Sequence, residues 1–188
     1  MDATARLFLA IWPPPAVAAA LHDWAVSARR ATGGRMIDAG AVHLTLAFLG
    51  EVPVARIDAA RVAAGRVHGA AHVLTIRQTV HWVRRGIVWC GPDTTPPALM
   101  ALAGRLSEEL TREGFVLQRR PFLAHLTLLR NARRARRLPP WPGLEWPVGE
   151  FTLVRSLLSS SAARYATLAR FPLASSAAEE AALKRAPR

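Results

Sequence analysis

Cysteine is almost absent from this chain, and Cys90 is the only one. That excludes an intrachain disulfide and any multi-cysteine zinc site, and leaves the thiol as a small buried group on a strand. Lysine is equally scarce, since Lys184 stands alone among 25 basic residues. Acidic residues are few, 13 in all, so the net charge is +12 and is carried almost wholly by arginine. Such a balance points to phosphate-bearing partners, for which the planar guanidinium fork is the better match. No apolar run approaches the length that spans a bilayer, and the first one stops at Trp12 against Pro13-Pro14-Pro15 without a small-residue cleavage site. No membrane partner is expected, and cytoplasmic residence follows as the default. The chain also lacks a G-x-S-x-G elbow around Ser159 to Ser161 and a phosphate-cradling Gly-Lys-Ser/Thr loop. Serine hydrolysis and nucleoside triphosphate hydrolysis thereby lose support.

What is present is a tetrapeptide that occurs twice, His43-Leu44-Thr45-Leu46 and His125-Leu126-Thr127-Leu128. Strand alternation places His43 and Thr45 on one face and Leu44, Leu46 and Phe48 on the other, and does the same for His125 and Thr127 against Leu126 and Leu128. Each copy reads as a half-buried strand that presents an imidazole and a hydroxyl together.

The repeat extends further. An apolar strand, Leu7 to Trp12, precedes three prolines and a helical stretch from Ala16 to about Arg30; Ile87 to Cys90 precedes Pro96-Pro97 and a helical stretch from Ala98 to about Arg112. Proline suits a first helical turn, and Gly33-Gly34 and Gly114 supply the stops. From strand start to histidine is 36 residues in the first half and 38 in the second. A repeat of about 80 residues is too long for a solenoid and implies two similar lobes. A pseudo-twofold between them would make their polar strand faces meet across one cleft, with the histidines opposed.

Between the motifs, Val54 to about Val67 has helical periodicity, Val73 to Val83 reads as one long strand, and Arg84-Arg85-Gly86 turns it into Ile87 to Cys90 as a hairpin. Beyond the second motif, Leu138 to Gly143 is a Pro-rich loop. Phe151 to Leu158 and Tyr165 to Leu173 read as strands around a small-residue turn, Ser159 to Ala163. The expected fold is α+β and bilobal, with two antiparallel-rich sheets, outer helices and a central cleft that carries both motifs. At 188 residues with 51% hydrophobic content, residues 1–173 are expected to form one such domain, followed by a tail over 174–188.

Two histidines facing each other across a basic cleft form an acid–base pair with a phosphate seat between them. One neutral imidazole takes a proton from an attacking water, the other, protonated, gives one to the leaving oxygen, and Thr45 and Thr127 donate to non-bridging oxygens. A strained cyclic phosphodiester suits this site, and neither a metal nor a cofactor is needed. Arg130, three residues past Thr127, is close enough to meet the reacting phosphate. The run Arg133, Arg134, Arg136 and Arg137 either contacts RNA backbone or is a solvated loop, and Arg119-Arg120 add to the charge beside the motif. His68 and His72 are spaced i, i+4 but no third metal ligand is evident, and His22 and His81 read as structural. The tryptophans read mostly as core, with room for one aromatic to stack on a base.

The chain resembles the two-histidine phosphoesterase superfamily and, within it, the RNA 2′,3′-cyclic phosphodiesterases, also called the 2′-5′ RNA ligase family. The resemblance runs from Arg6 to Ile11, through Val42 to Val52 and Arg120 to Arg130, to Tyr165-Ala166-Thr167-Leu168. It implies a bilobal α+β fold with a central cleft, His43 as proton donor, His125 as proton acceptor, and an RNA 2′-phosphomonoester product made without metal. The partner it implies is RNA with a 2′,3′-cyclic phosphate end, and a monomer is expected. The alternatives are a non-catalytic RNA-binding module, or a two-histidine enzyme acting on a small cyclic phosphate or in 2′-5′ ligation.

Overall fold

A computed structural model describes residues 3–118, 121–134, 136–158 and 163–175. In chain order the elements are β1 (Thr4–Ile11), α1 (Pro15–Thr32), β2 (Arg35–Met36), β3 (Leu44–Pro53), α2 (Ile57–Gly65), β4 (His72–Ile76), β5 (Gln78–Trp82), β6 (Ile87–Gly91), α3 (Pro97–Arg112), β7 (Leu126–Arg130), β8 (Leu144–Val148), β9 (Glu150–Leu158) and β10 (Ala163–Pro172). Single 3-10 turns precede β3, α2 and β6.

Both long helices begin on a proline, Pro15 in α1 and Pro97 in α3, where the missing N–H costs nothing. Each is amphipathic. Ala18, Leu21, Trp24, Ala25 and Ala28 bury one face of α1, and Leu99, Leu102, Leu106 and Leu110 bury one face of α3. Gly33 (φ 70°) ends α1 and Gly114 (φ 83°) follows α3, in the backbone region that favours glycine.

The strands run β10-β9-β1-β3-β7-β6-β5, with β2 added beside β7, and β4 and β8 form a separate two-stranded sheet. Every pairing of these strands is antiparallel. The order is symmetric about the centre: β1 beside β3 in one half matches β6 beside β7 in the other. The motif strands β3 and β7 meet through one register pair, Leu44 against Leu126. These are the equivalent residues of the two motifs, as a twofold relation requires. α1 packs against β7 and α3 against β3, so each helix supports the other half's motif strand. The leucines of both motifs share one core with these helices, and Leu44, Leu126 and Leu128 are at most 1% exposed. Each such side chain contributes roughly 1.5–3 kcal/mol through removal from water.

Three expectations need correction, and one strand was not foreseen. Val73 to Val83 is not one strand: β4 pairs β8 and β5 pairs β6. The chain changes ladders at Arg77, whose N–H donates to the Gly91 carbonyl at 3.0 Å. β8 follows the Pro-rich loop unanticipated, because Pro147 weakens any strand reading; as an edge strand paired only with β4 it tolerates the proline. α2 begins only at Ile57, after a 3-10 turn over Val54–Arg56. Phe48 does not lie with the leucines. Ala10 pairs Thr45 while Leu9 pairs Ala47, so Leu46 is an extra residue in β3. That bulge buries Leu46 and Ala47 in succession and returns Phe48 to the face of Thr45.

Cys90 is buried on β6, and burial pushes its thiol far above the ordinary range. Ala174, at the head of the expected tail, bonds Gly69 and Ala71 through its backbone. Residues 176–188, Arg119-Arg120 and most of the Ser159 to Ala163 turn lie outside the described residues.

Candidate active site

The two motif strands leave the Leu44–Leu126 contact in opposite directions. Leu44 and Leu126 each directly follow a motif histidine, so this one contact brings both imidazoles to the centre of the sheet. Both histidines stand one residue ahead of their strands. Each ring is held from behind in the same way: Nδ1 of His43 donates to the Ala41 carbonyl at 2.8 Å, and Nδ1 of His125 to the Leu123 carbonyl at 2.8 Å. A donor bond at Nδ1 leaves Nε2 of either ring to take or give a proton.

His43, Thr45, His125, Thr127 and Arg130 all line one cavity of about 410 Å³, which also includes Arg6, Phe8, Arg35, Asp38, Phe48, Gln118, Ser156 and Tyr165. The bulge in β3 has a counterpart in β7. Trp89 pairs Thr127 while Val88 pairs Leu129, so Leu128 is the extra residue. In both strands the residue three past the threonine therefore turns back to the cleft, Phe48 in one and Arg130 in the other. Plain alternation would have sent both into the core.

Two glycines permit close approaches that position these residues. A Cβ on Gly91 would meet the Ala124 carbonyl at 2.5 Å, beside His125, and one on Gly34 would meet the Arg130 carbonyl at 2.5 Å. After Arg130 the chain turns sharply through Asn131, at φ 58°.

The surroundings of the two imidazoles differ. His43 stacks on Phe8 (4.8 Å, 26°), with Trp12 at 5.0 Å and the Tyr165 ring edge-on at 5.3 Å. The Trp12 indole is fixed by donation to the Thr152 hydroxyl at 2.8 Å. Burial pulls the His43 pKa below the ordinary imidazole value; the Ala41 carbonyl opposes this, and the charges of Arg130 and His125 add to it. His125 meets only the edges and faces of Trp89 at 5.9 Å and Trp82 at 6.5 Å.

All five expected residues share the cavity, whereas Arg133, Arg134, Arg136 and Arg137 do not line it. Sequence reading missed Arg6, Arg35, Phe8, Gln118 and Ser156. The approximate repeat could have suggested Phe8, which precedes Trp12 by a strand's even spacing, but nothing local marks the others. His22, His68, His72 and His81 lie away from the cleft, and His81 bonds the Ala132 carbonyl at 2.7 Å. Among the described residues no group of three or more His, Cys, Asp or Glu is disposed to hold a metal, and no helix is long and apolar enough to cross a membrane.

An antiparallel α+β scaffold of two similar halves, with paired imidazoles and hydroxyls over one arginine-bearing cleft, defines a class, the two-histidine phosphoesterases. The family described as LigT like Phosphoesterase matches residues 11–89. The RNA 2′,3′-cyclic phosphodiesterase of Escherichia coli (strain K12) is 37% identical over 170 residues, covering 89% of this chain and 96% of its own length. A protein of the same name from Thermus thermophilus is 34% identical over 173 residues, covering 87% of each. The crystal structure of E. coli LigT complexed with 3′-AMP has a TM-score of 0.84 at 35% identity, over 91% of this chain and 99% of that one. The chain belongs to the LigT-like phosphoesterase family.

Proposed function

We propose that this protein hydrolyses the 2′,3′-cyclic phosphodiester end of RNA to a 2′-phosphomonoester, with residues 1–173 acting as one catalytic unit. His125, neutral, takes a proton from water as the water oxygen bonds phosphorus. His43, protonated, gives its proton to the 3′ oxygen as the P–O3′ bond breaks. The hydroxyls of Thr45 and Thr127 donate to the non-bridging oxygens, and Arg130 offsets the charge that grows on them. Both proton transfers are met by imidazoles, so the step needs no metal. Burial of His43 favours its neutral form in the free protein. An anionic phosphodiester entering beside it supplies the opposite charge that stabilises the imidazolium, so protonation of the donor is coupled to substrate binding.

The observation that carries this reading is the convergence of two equivalent motifs on one cleft, each imidazole held at Nδ1 by a carbonyl two residues back. The RNA 2′,3′-cyclic phosphodiesterases among the relatives, and the nucleotide in the LigT complex, agree in chemical class with this substrate. The test is incubation with an oligoribonucleotide ending in a 2′,3′-cyclic phosphate, with a chelator present. The expected product is the 2′-phosphomonoester, formed at an undiminished rate. A 3′-phosphomonoester would contradict the direction of protonation, loss of turnover in chelator would contradict the metal-free step, and binding without turnover would favour an RNA-binding module.

A further inference from the structure

We propose that Arg6 and Arg35, with the Tyr165 hydroxyl, form a second phosphate subsite in the cleft, which takes the phosphate on the 5′ oxygen of the terminal nucleotide. This rests on the hydrolysis proposed above and names the substrate class further: an RNA end, or a nucleotide already phosphorylated at its 5′ position, over a bare nucleoside cyclic phosphate.

The first ground is charge. Among the described residues three guanidiniums line the cavity, those of Arg6, Arg35 and Arg130, against one carboxylate, Asp38. A cyclic phosphodiester carries a single negative charge, so it leaves the cleft with positive charge unmet. None of the three arginines forms an ion pair among the described residues. Glu51 is the register partner of Arg6, yet it accepts from the Thr4 hydroxyl at 3.2 Å.

The second ground is construction. β2 is only two residues long and pairs only with β7, and its register sets Arg35 directly against Arg130. Like charges opposed across a strand pair are destabilising. Gly34 is what lets β2 approach so closely. The reacting phosphate engages Arg130 in the hydrolysis proposed above, which leaves Arg35, across the strand pair, to be offset by a second anion. Arg6 reaches the cavity from the other side, its guanidinium held 4.8 Å over the Phe48 ring. Burial raises the pKa of the Tyr165 phenol while the charges of Arg130, Arg6 and Arg35 lower it, so all three guanidiniums lie within electrostatic reach of a hydroxyl that stays protonated and able to donate.

The third ground is location. On β1, Arg6 is four residues from Ala10, the partner of Thr45, a distance of about 13 Å along the strand at the usual rise. Arg6 therefore belongs to the next group along the substrate, away from the phosphate seated between the histidines. In a nucleotide with a 2′,3′-cyclic phosphate, the only other phosphate on the same ribose is at the 5′ oxygen.

The experiment compares kcat/KM for adenosine 2′,3′-cyclic phosphate with that for its 5′-phosphorylated form and for a dinucleotide with the same cyclic end. Wild type should prefer the last two by about tenfold or more, the scale of one charge-assisted hydrogen bond. In the Arg6→Ala/Arg35→Ala double variant this ratio should fall towards one, and in Arg6→Lys/Arg35→Lys it should be partly kept. A wild-type ratio near one, or a ratio that survives in the alanine variant, would overturn the subsite while leaving the hydrolysis reading intact. No turnover of any of the three substrates would instead remove that reading, and the subsite with it.

Discussion

Around His43 the first half of the cleft packs Phe8, Trp12 and Tyr165 and sets Phe48 three residues past the threonine; around His125 the second half sets Trp89 and Trp82 and places Arg130 at the matching position. Beneath that difference the two share nearly everything: the Nδ1 bond two residues back, the leucine at which the motif strands meet, and the extra residue after the threonine. The comparison teaches that the two halves share one frame and that their differences sit at a few cleft positions. An acid and a base cannot be the same group in the same surroundings. Here one imidazole is buried among rings, and that burial disfavours its charge, while the guanidinium three residues past a motif threonine is found only in the other half.

If the shared part of the frame does the proton transfers, removing either imidazole should have the largest effect. His43→Ala and His125→Ala should each lower kcat/KM on cyclic-phosphate RNA by roughly 10²–10⁴-fold. Thr45→Val or Thr127→Val removes one neutral hydrogen bond, a loss of about 0.5–1.5 kcal/mol and so about tenfold or less. Threonine losses as large as the histidine ones would shift the weight of the account from proton transfer to anion binding.

The comparison sharpens at Arg130, which the first half replaces with Phe48. Arg130→Ala should slow both RNA and a cyclic mononucleotide, because the residue meets the reacting phosphate common to both. It should also raise the His43 pKa in the free protein, since a positive charge that disfavours the imidazolium has gone. The His43 ring resonances, followed by NMR through the pH range, would report that shift. A midpoint that falls or stays fixed would mean that Arg130 does not act on His43.

The smallest effect is expected outside the cleft. Neutralising Arg133, Arg134, Arg136 and Arg137 together should leave a cyclic mononucleotide unaffected and weaken oligonucleotide binding, with a shallower dependence on salt. If RNA turnover at low salt equals that of the parent, the run is a solvated loop and contributes nothing to substrate capture.

Much of this was legible in the sequence. Two copies of His-Leu-Thr-Leu, each after a strand, a proline and a helix, are sufficient to pair the halves and to name His43, His125, Thr45 and Thr127. What stayed hidden depends on pairing. No local signal marks Leu46 or Leu128 as the extra residue of a strand, so alternation misplaced Phe48 and gave no reason for Arg130 to face the cleft. Arg6 and Arg35 look like any exposed arginine until β1 and β2 are set against their neighbours. The break at Arg77 was invisible for the same cause, since both flanking stretches favour strand and only their partners differ.

The central claim is that His43 and His125 serve one chemical step from opposite sides. Its most direct test is kcat/KM on RNA with a 2′,3′-cyclic phosphate for His43→Ala, His125→Ala and the double variant, each with its thermal midpoint measured as a check on folding. Groups that act as a unit are far from additive, so the double variant should lose about as much as either single one. A single variant that keeps near-parental activity, or a double variant whose loss is the product of two modest and independent losses, would contradict the account.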